Sequence, residues 1–187
     1  MANAAATATS LSSQLASIQK QLAENSAHAD HLISTLTPEE LASRPRQGGW
    51  CVVECIQHLV ATTNAFLPPM MVALTAAPRQ TSEYRGTLLG RFLAWFLEPP
   101  YRVKFRVVPE LAPHPIAPSD LLGSFEASQE NLRDFLRQCR GLAIDHVKVA
   151  SPADSRIKYN VWDALRVLTA HQRRHLWQAE QVVKHLH

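Results

Sequence analysis

Through most of the chain, apolar residues recur every three or four positions, the spacing that holds one stripe of an α-helix against a core. From Leu11 the series Leu15, Ile18, Leu22, Ala29, Ile33 and Leu36 predicts a long first helix. The tetrad TPEE at 37–40 starts a short one, with Thr37 as N-cap, Pro38 at the first helical position and Glu40 reaching back to the cap; Pro45 ends it. After the loop RQGG at 46–49, WCVVECIQHLVATTNAFL keeps helical period up to Pro68 and Pro69, which are expected to stop or kink it. Leu121, Leu122, Phe125, Leu132, Phe135 and Leu136 set a third main helix from a Ser119 N-cap through Cys139, closed by Gly141. Asn160 or Val161 opens a fourth, which runs to about Lys184.

What lies between these helices decides the architecture. The stretch from Pro78 to Pro118 carries seven of the twelve prolines and mixes basic with aromatic residues, as in GRFLAWFLEPPYRVKF; it reads as a long crossover with a short apolar helix inside it. HVKVASPADSRIKYN reads as a polar connection, and the alanine- and serine-rich residues 1–10 as disordered. The prediction is an all-α, up-and-down-type four-helix bundle of one domain over 11–187, with one long crossover between main helices two and three.

Composition agrees and excludes several classes. With 187 residues, 46% of them hydrophobic and 19% charged, the chain suits one domain with a sizeable core. Its 19 basic residues against 16 acidic ones are scattered, so nucleic acid is not an expected partner. No apolar run reaches the ~18 residues of a membrane span, and the start MANAAATATS lacks the marks of a signal peptide, so a cytoplasmic location is expected. Cys51, Cys55 and Cys139 form no framework spacing, which suits a reducing compartment.

The chemistry concentrates in histidines. His171 and His175 lie about 40° apart around the fourth helix, on the stripe of Ala164, Val167, Leu168 and Val182, so both point inward. Trp162, Arg173, Glu180 and Lys184 form the opposite, mostly solvated face. On the second main helix His58 shares a stripe with Cys51, Glu54, Cys55 and Thr62, so a third imidazole can meet the other two across the core. Buried imidazole nitrogens need partners, and three neutral rings on one divalent ion leave a position open to water or substrate. Imidazole suits zinc, nickel, iron and copper alike. Glu54, four residues before His58, is either a proton acceptor or ring-orienting partner at the site or half of a surface salt bridge. Cys55 is either a thiolate ligand or, more simply, a small buried hydrophobe. Gln178, one turn beyond the pair, can donate to a ligand, and Trp50 is a packing anchor at the helix start.

Two stretches carry a family resemblance. GGWCVVECIQHL at 48–59 resembles the Trp-x3-Glu-x3-His-Leu start of helix two in DinB-like proteins, and AHQRRHLWQ at 170–178 resembles their His-x3-His-x2-Gln on helix four. The chain is thus similar, over roughly residues 10–185, to the DinB/YfiT-like metalloenzyme superfamily. By that resemblance His58, His171 and His175 correspond to the family's metal triad, usually zinc or nickel, and the activity implied leans toward a thiol-dependent S-transferase using a low-molecular-weight thiol. Metal-dependent hydrolysis and a non-catalytic metal- or ligand-binding module are the alternatives. A small-molecule substrate is expected, a homodimer is possible, and Arg79, Arg85, Arg91, Trp95, Tyr101, Arg102 and Lys104 of the crossover are candidates to hold an acidic thiol over the ion.

Overall fold

Four long helices built on these stripes form the bundle in a computed structural model, which describes residues 2–46, 48–80, 82–100, 107–114 and 117–185, with side chains from Ser13 onward. The helices are α1 (Ala2–Ser34), α2 (Pro38–Ala42), α3 (Val52–Leu74), α4 (Leu88–Leu97), α5 (Leu121–Gln138) and α6 (Val161–Lys184). α1 begins ahead of the expected start at Leu11. α2 carries the predicted reciprocal cap: Glu40 N–H donates to Thr37 Oγ1 at 3.2 Å, and Thr37 N–H to Glu40 Oε2 at 2.8 Å. No described helix is long and apolar enough to cross a membrane.

Three expectations are corrected. Pro68 and Pro69 do not stop α3, which runs on to Leu74. Both prolines are exposed, and the carbonyls that lose their amide partners belong to Asn64, exposed, and Ala65, half-buried, so water can satisfy them. Ser119 does not cap α5: a short 3-10 turn at Pro118–Asp120 leads into it, and the Ser119 hydroxyl donates to Asp120 Oδ1 instead. The connection before α6 is not wholly irregular. β1 (Lys148–Ala150) and β2 (Lys158–Asn160) pair antiparallel with Val149 opposite Tyr159, and both of these are buried. Two three-residue strands are too short to announce themselves by alternation. β2 feeds directly into α6, whose N-cap Asn160 accepts from Asp163 N–H at 2.8 Å.

α6 is the central element, packed on α1, α3 and α4, while α5 closes the far side against α1 and α3. The start of α3 meets the end of α6, so these two run antiparallel. The core falls into two apolar clusters. One is built around Leu22, Phe66, Met70, Leu132, Leu165 and Leu168, the other around Ala29, Val52, Ile56, Leu59, Phe125 and Leu176. Between them every long helix contributes buried polar residues: Asn25 from α1, Thr62 and Thr63 from α3, Ser128 and Gln129 from α5, Thr169 and Gln172 from α6. Part of this polar waist is stitched together. Asn25 Nδ2 donates to the Thr169 carbonyl at 3.3 Å and to Gln172 Oε1 at 3.0 Å, and Gln172 Nε2 donates to Thr63 Oγ1 at 3.4 Å. The inward histidines of α6 sit at the same level.

A candidate metal centre at the polar waist

His58, His171 and His175 come together as the stripes predict: one ligand-type atom from each lies within 4.8 Å of the others, the only such group among the described residues that includes a histidine. His58 is 2% exposed and His175 7%. The ring centroids of His171 and His175 are 4.5 Å apart, as are those of His58 and His175. The remaining polar contacts of the rings select which nitrogens face one another. His58 Nδ1–H donates to the Leu111 carbonyl at 2.5 Å, and His175 Nδ1–H to Gln178 Oε1 at 3.0 Å. Both rings therefore present a bare Nε2. His58 Nε2 and His171 Nε2 lie 3.1 Å apart, while His171 Nδ1 is buried without a hydrogen-bond partner.

Two ring nitrogens this close either share a proton or face a common cation. Two nitrogens about 2.05 Å from one tetrahedral ion would stand roughly 3.3 Å apart, so the observed spacing suits a shared divalent ion. The protonation balance points the same way. Burial holds the pKa of His171 and His175 well below the ordinary histidine value, reinforced by neighbouring positive groups, and burial also lowers that of His58 against the opposing pull of the Leu111 carbonyl. All three rings are neutral near pH 7, the form that binds a metal.

Glu54 is not brought to this cluster. Cys51 N–H donates to Glu54 Oε2 at 3.0 Å, and Arg44 donates to Oε1 at 2.5 Å, so the carboxylate caps α3 and pairs with a surface arginine. Cys55 is fully buried among Ile56 and Leu59, and burial pushes its thiol pKa far up, which makes it a core hydrophobe rather than a thiolate. Cys51 serves as the N-cap residue of α3. Gln178 touches the site as anticipated, but as an acceptor that orients His175. Trp50 packs its ring 4.9 Å from that of His58 and 5.6 Å from that of His175. The preceding Gly48 and Gly49 adopt positive φ, 78° and 119°, which lets the loop turn there without strain.

The cluster opens onto a cavity of about 1050 Å³. The crossover does cover it, through Leu93, Phe96 and Leu97 of α4 and Val107, Val108 and Leu111 beyond, yet what it contributes there is apolar. None of its described basic residues lines this space. Arg79 pairs through its backbone with Leu142, Arg85 is exposed, and Arg91 and Trp95 line a separate cavity of about 380 Å³. Tyr101, Arg102 and Lys104 lie outside the described residues. Trp162, expected on the solvated face of α6, is buried with its ring 5.1 Å from that of Tyr84, because β2 and α4 cover that end of the helix. Arg173 of the same face is half-buried, paired with Glu98 and donating to Gln21 Oε1 at 2.8 Å.

Three participants had escaped the reading of the sequence. The Leu111 carbonyl orients His58, and backbone groups leave no signal in side-chain pattern. Thr62, named only as a neighbour on the stripe, lines the cavity, and so does Arg174, which is 5% exposed. A charged residue directly before an inward histidine was the available clue.

A family model described as the DinB superfamily matches residues 21–179, a span that includes all three histidines. No curated protein and no solved structure matches the chain.

Proposed function

This chain belongs to the DinB superfamily, and on that premise we propose that it is a metal-dependent enzyme whose single divalent ion, zinc or nickel, is held by Nε2 of His58, His171 and His175. The proposed reaction is S-transfer, in which a low-molecular-weight thiol attacks an electrophilic small molecule. The carrying observation is the convergence of three neutral imidazoles, two of them with Nδ1 already committed, beside a cavity large enough for both reactants. The ion would supply Lewis acidity at its open position, lowering the pKa of a thiol or a water there.

The chain's own residues do the rest. Leu111 and Gln178 fix ring orientation and tautomer, Trp50 packs against the rings of His58 and His175, and Phe96 and Leu97 give the cavity an apolar wall. Support for a thiol over water comes from what lines the cavity: no aspartate or glutamate does so among the described residues, and Glu54 is engaged elsewhere. On the ion a thiol, whose free pKa is ~8.5, attacks as a thiolate with no proton left to lose, whereas metal-bound water, though also ionised near neutral pH, attacks as a hydroxide that still has a proton to pass on.

The test begins with metal content. Protein purified without a metal-affinity tag should carry one equivalent of a divalent ion by mass spectrometry, and His171→Ala should carry none; a full equivalent in that variant overturns the assignment. Cobalt-substituted protein titrated with mycothiol, bacillithiol and glutathione should then develop the near-ultraviolet charge-transfer band of a sulfur ligand with at least one of them. If metal-loaded protein shows no band with any, metal-dependent hydrolysis or simple ligand binding takes the place of S-transfer.

A further inference from the structure

The cavity beside the histidines follows α6 and its C-cap from Val167 to His185, a length of about 27 Å at the helical rise. The histidines divide it into unlike halves. α3 and α6 are antiparallel, so Phe66, which comes after His58 on α3, and Val167, which comes before His171 on α6, lie on the same side of the cluster. Leu97, Ile157 and Tyr159 belong to the same apolar cluster and line the cavity with them, Tyr159 stacking on Phe66 at 6.4 Å between centroids. Phe66, Tyr159 and Val167 are buried, and Leu97 and Ile157 half-buried, so this lobe is closed and mainly apolar.

The other lobe is open and hydrophilic. Beyond His175 the lining of α6 includes Gln178, Gln181 and His185, and the loop before α3 brings Arg46, Gly48 and Gly49 to the same end. Arg46, both glycines and His185 are exposed, whereas Ala153 is the one exposed lining residue on the closed side. His185 Nδ1–H donates to the Gln181 carbonyl at 2.7 Å, which leaves its Nε2 available to a ligand. The Arg46 guanidinium makes no hydrogen bond or ion pair among the described residues. It is the lining cation whose donors are uncommitted, since Arg174, buried at the level of the histidines, is already engaged within the protein. No aspartate or glutamate lines the cavity among the described residues, so nothing acidic there competes for Arg46. A guanidinium fork matches a carboxylate in a bidentate pair.

We propose that the cavity holds two ligands at once, an apolar molecule in the closed lobe and a hydrophilic, carboxylate-bearing anion in the open lobe, its carboxylate paired with Arg46. The volume of about 1050 Å³ is at the upper end of the ~300–1,000 Å³ usual for one drug-sized ligand, which leaves room for two smaller ones. Each ligand approaches the histidines from its own side. Only the identification of the anion as the thiol, and of the apolar molecule as its electrophile, rests on the proposed S-transfer. On that reading the pairing selects among thiols, because bacillithiol and glutathione carry carboxylates and mycothiol does not.

Calorimetry with S-methylglutathione, its dimethyl ester and 4-phenylbutanol tests the subsites in metal-free and metal-loaded protein; the methylated sulfur takes the thiolate out of the measurement. Metal-free wild type should bind S-methylglutathione about threefold or more tightly than the ester, the scale of an exposed ion pair. Saturating 4-phenylbutanol should leave that affinity unchanged. Arg46→Gln, on an exposed loop, should remove the preference for the free acid while sparing 4-phenylbutanol binding and metal content. Ile157→Trp, which fills the closed lobe, should weaken 4-phenylbutanol several-fold and spare S-methylglutathione; should it lose its helical circular dichroism, Leu97→Trp takes its place. Competition between the two probes, equal affinity for acid and ester, a preference that survives Arg46→Gln, or no measurable binding of either probe overturns the proposal. Cobalt-substituted protein separates this outcome from that of the reaction. A sulfur charge-transfer band with mycothiol but with neither carboxylate-bearing thiol overturns the Arg46 pairing and leaves S-transfer standing. Both subsites filled as described, in metal-loaded protein that shows no sulfur band with any thiol, keeps the subsites and removes S-transfer.

Discussion

Glu54 and His58 stand four residues apart on one helix, yet they do unrelated work. The glutamate is at the third position of α3, where the free N–H groups of the helix start compete for any carboxylate within reach, and Cys51 N–H and Arg44 take both of its oxygens. His58, a turn further in, has left that zone and turns its Nδ1–H to Leu111. Glu54→Gln should therefore leave metal content and any turnover unchanged. Glu54→Ala, which loses the cap as well as the ion pair, should lower unfolding stability by about 1 kcal/mol in urea denaturation. A fall in turnover of 10²-fold in Glu54→Gln would instead make it the base. Leu111 offers only a carbonyl, which mutation cannot remove, but Gln178→Leu deprives His175 Nδ1–H of its acceptor. That variant should bind metal some 10- to 100-fold more weakly while keeping its helical circular dichroism, the usual cost of losing a partner that orients a ligand.

At the scale of elements, the roof over the site depends on one close approach. Asp163, fully buried on α6, accepts from Thr87 N–H at 2.7 Å and from the Thr87 hydroxyl at 2.8 Å, and Thr87 in turn caps α4 by accepting from Gly90 N–H at 3.0 Å. The contact works because position 90 has no side chain: a Cβ there would stand 2.0 Å from Asp163 Cγ. Gly90→Ala should cost about 2 kcal/mol or more through overpacking, and Asp163→Ala about 1–3 kcal/mol through the stranded Thr87 donors. Removing the Asp163 carboxylate takes away the two nearest clashing atoms, Cγ at 2.0 Å and Oδ2 at 2.3 Å, but leaves Asp163 Cβ at 2.4 Å, so the double variant should lose less stability than the two single losses added while still keeping part of the Gly90→Ala cost, measured as a double-mutant cycle. Strict additivity would mean that α4 and α6 are not coupled through this pair. The polar waist is an element-scale device too. Asn25→Leu leaves Gln172 Oε1 without the amide it accepts from and should destabilise the bundle by about 1–3 kcal/mol despite adding apolar volume.

The whole molecule carries the cost of three buried neutral imidazoles as a dependence on pH. In the folded, metal-free protein the pKa values of His58, His171 and His175 lie below that of an unfolded histidine, principally through burial. Below pH ~6.5 the unfolded chain therefore binds more protons than the folded one, and stability present above that pH is lost as pH falls through it toward the lowered folded values. Each histidine that stays neutral while its unfolded counterpart protonates contributes a slope of about 1.4 kcal/mol per pH unit. Urea midpoints of metal-free protein should drop steadily from pH 7 to pH 5, and His171→Gln should flatten that dependence. Bound metal opposes the same protons, so its affinity should weaken over the same range. A flat profile for both would mean that the imidazoles are not buried neutral.

The four main helices and the reciprocal cap at Thr37 and Glu40 were legible in the sequence because each follows from period and spacing within a single element, and the meeting of His58 with His171 and His175 was legible because inward stripes on two helices and the family resemblance of both motifs pointed to it. An i, i+4 pair on an apolar stripe faces the core whatever packs against it. The tertiary structure decided what period cannot encode. Only the fold revealed that Pro68 and Pro69 face water and let α3 continue, that Tyr159 finds Val149 across a two-strand ladder, and that Trp162 is covered by its neighbours. Which hydrogen-bond partner a side chain takes among several in reach was equally undecided, so Glu54 read as a base or a salt bridge until Cys51 N–H and Arg44 claimed it. Arg174 and Thr62 gained their place at the cavity because α3, α4 and α6 converge there, and that convergence is a property of packed surfaces brought together from segments far apart in the chain.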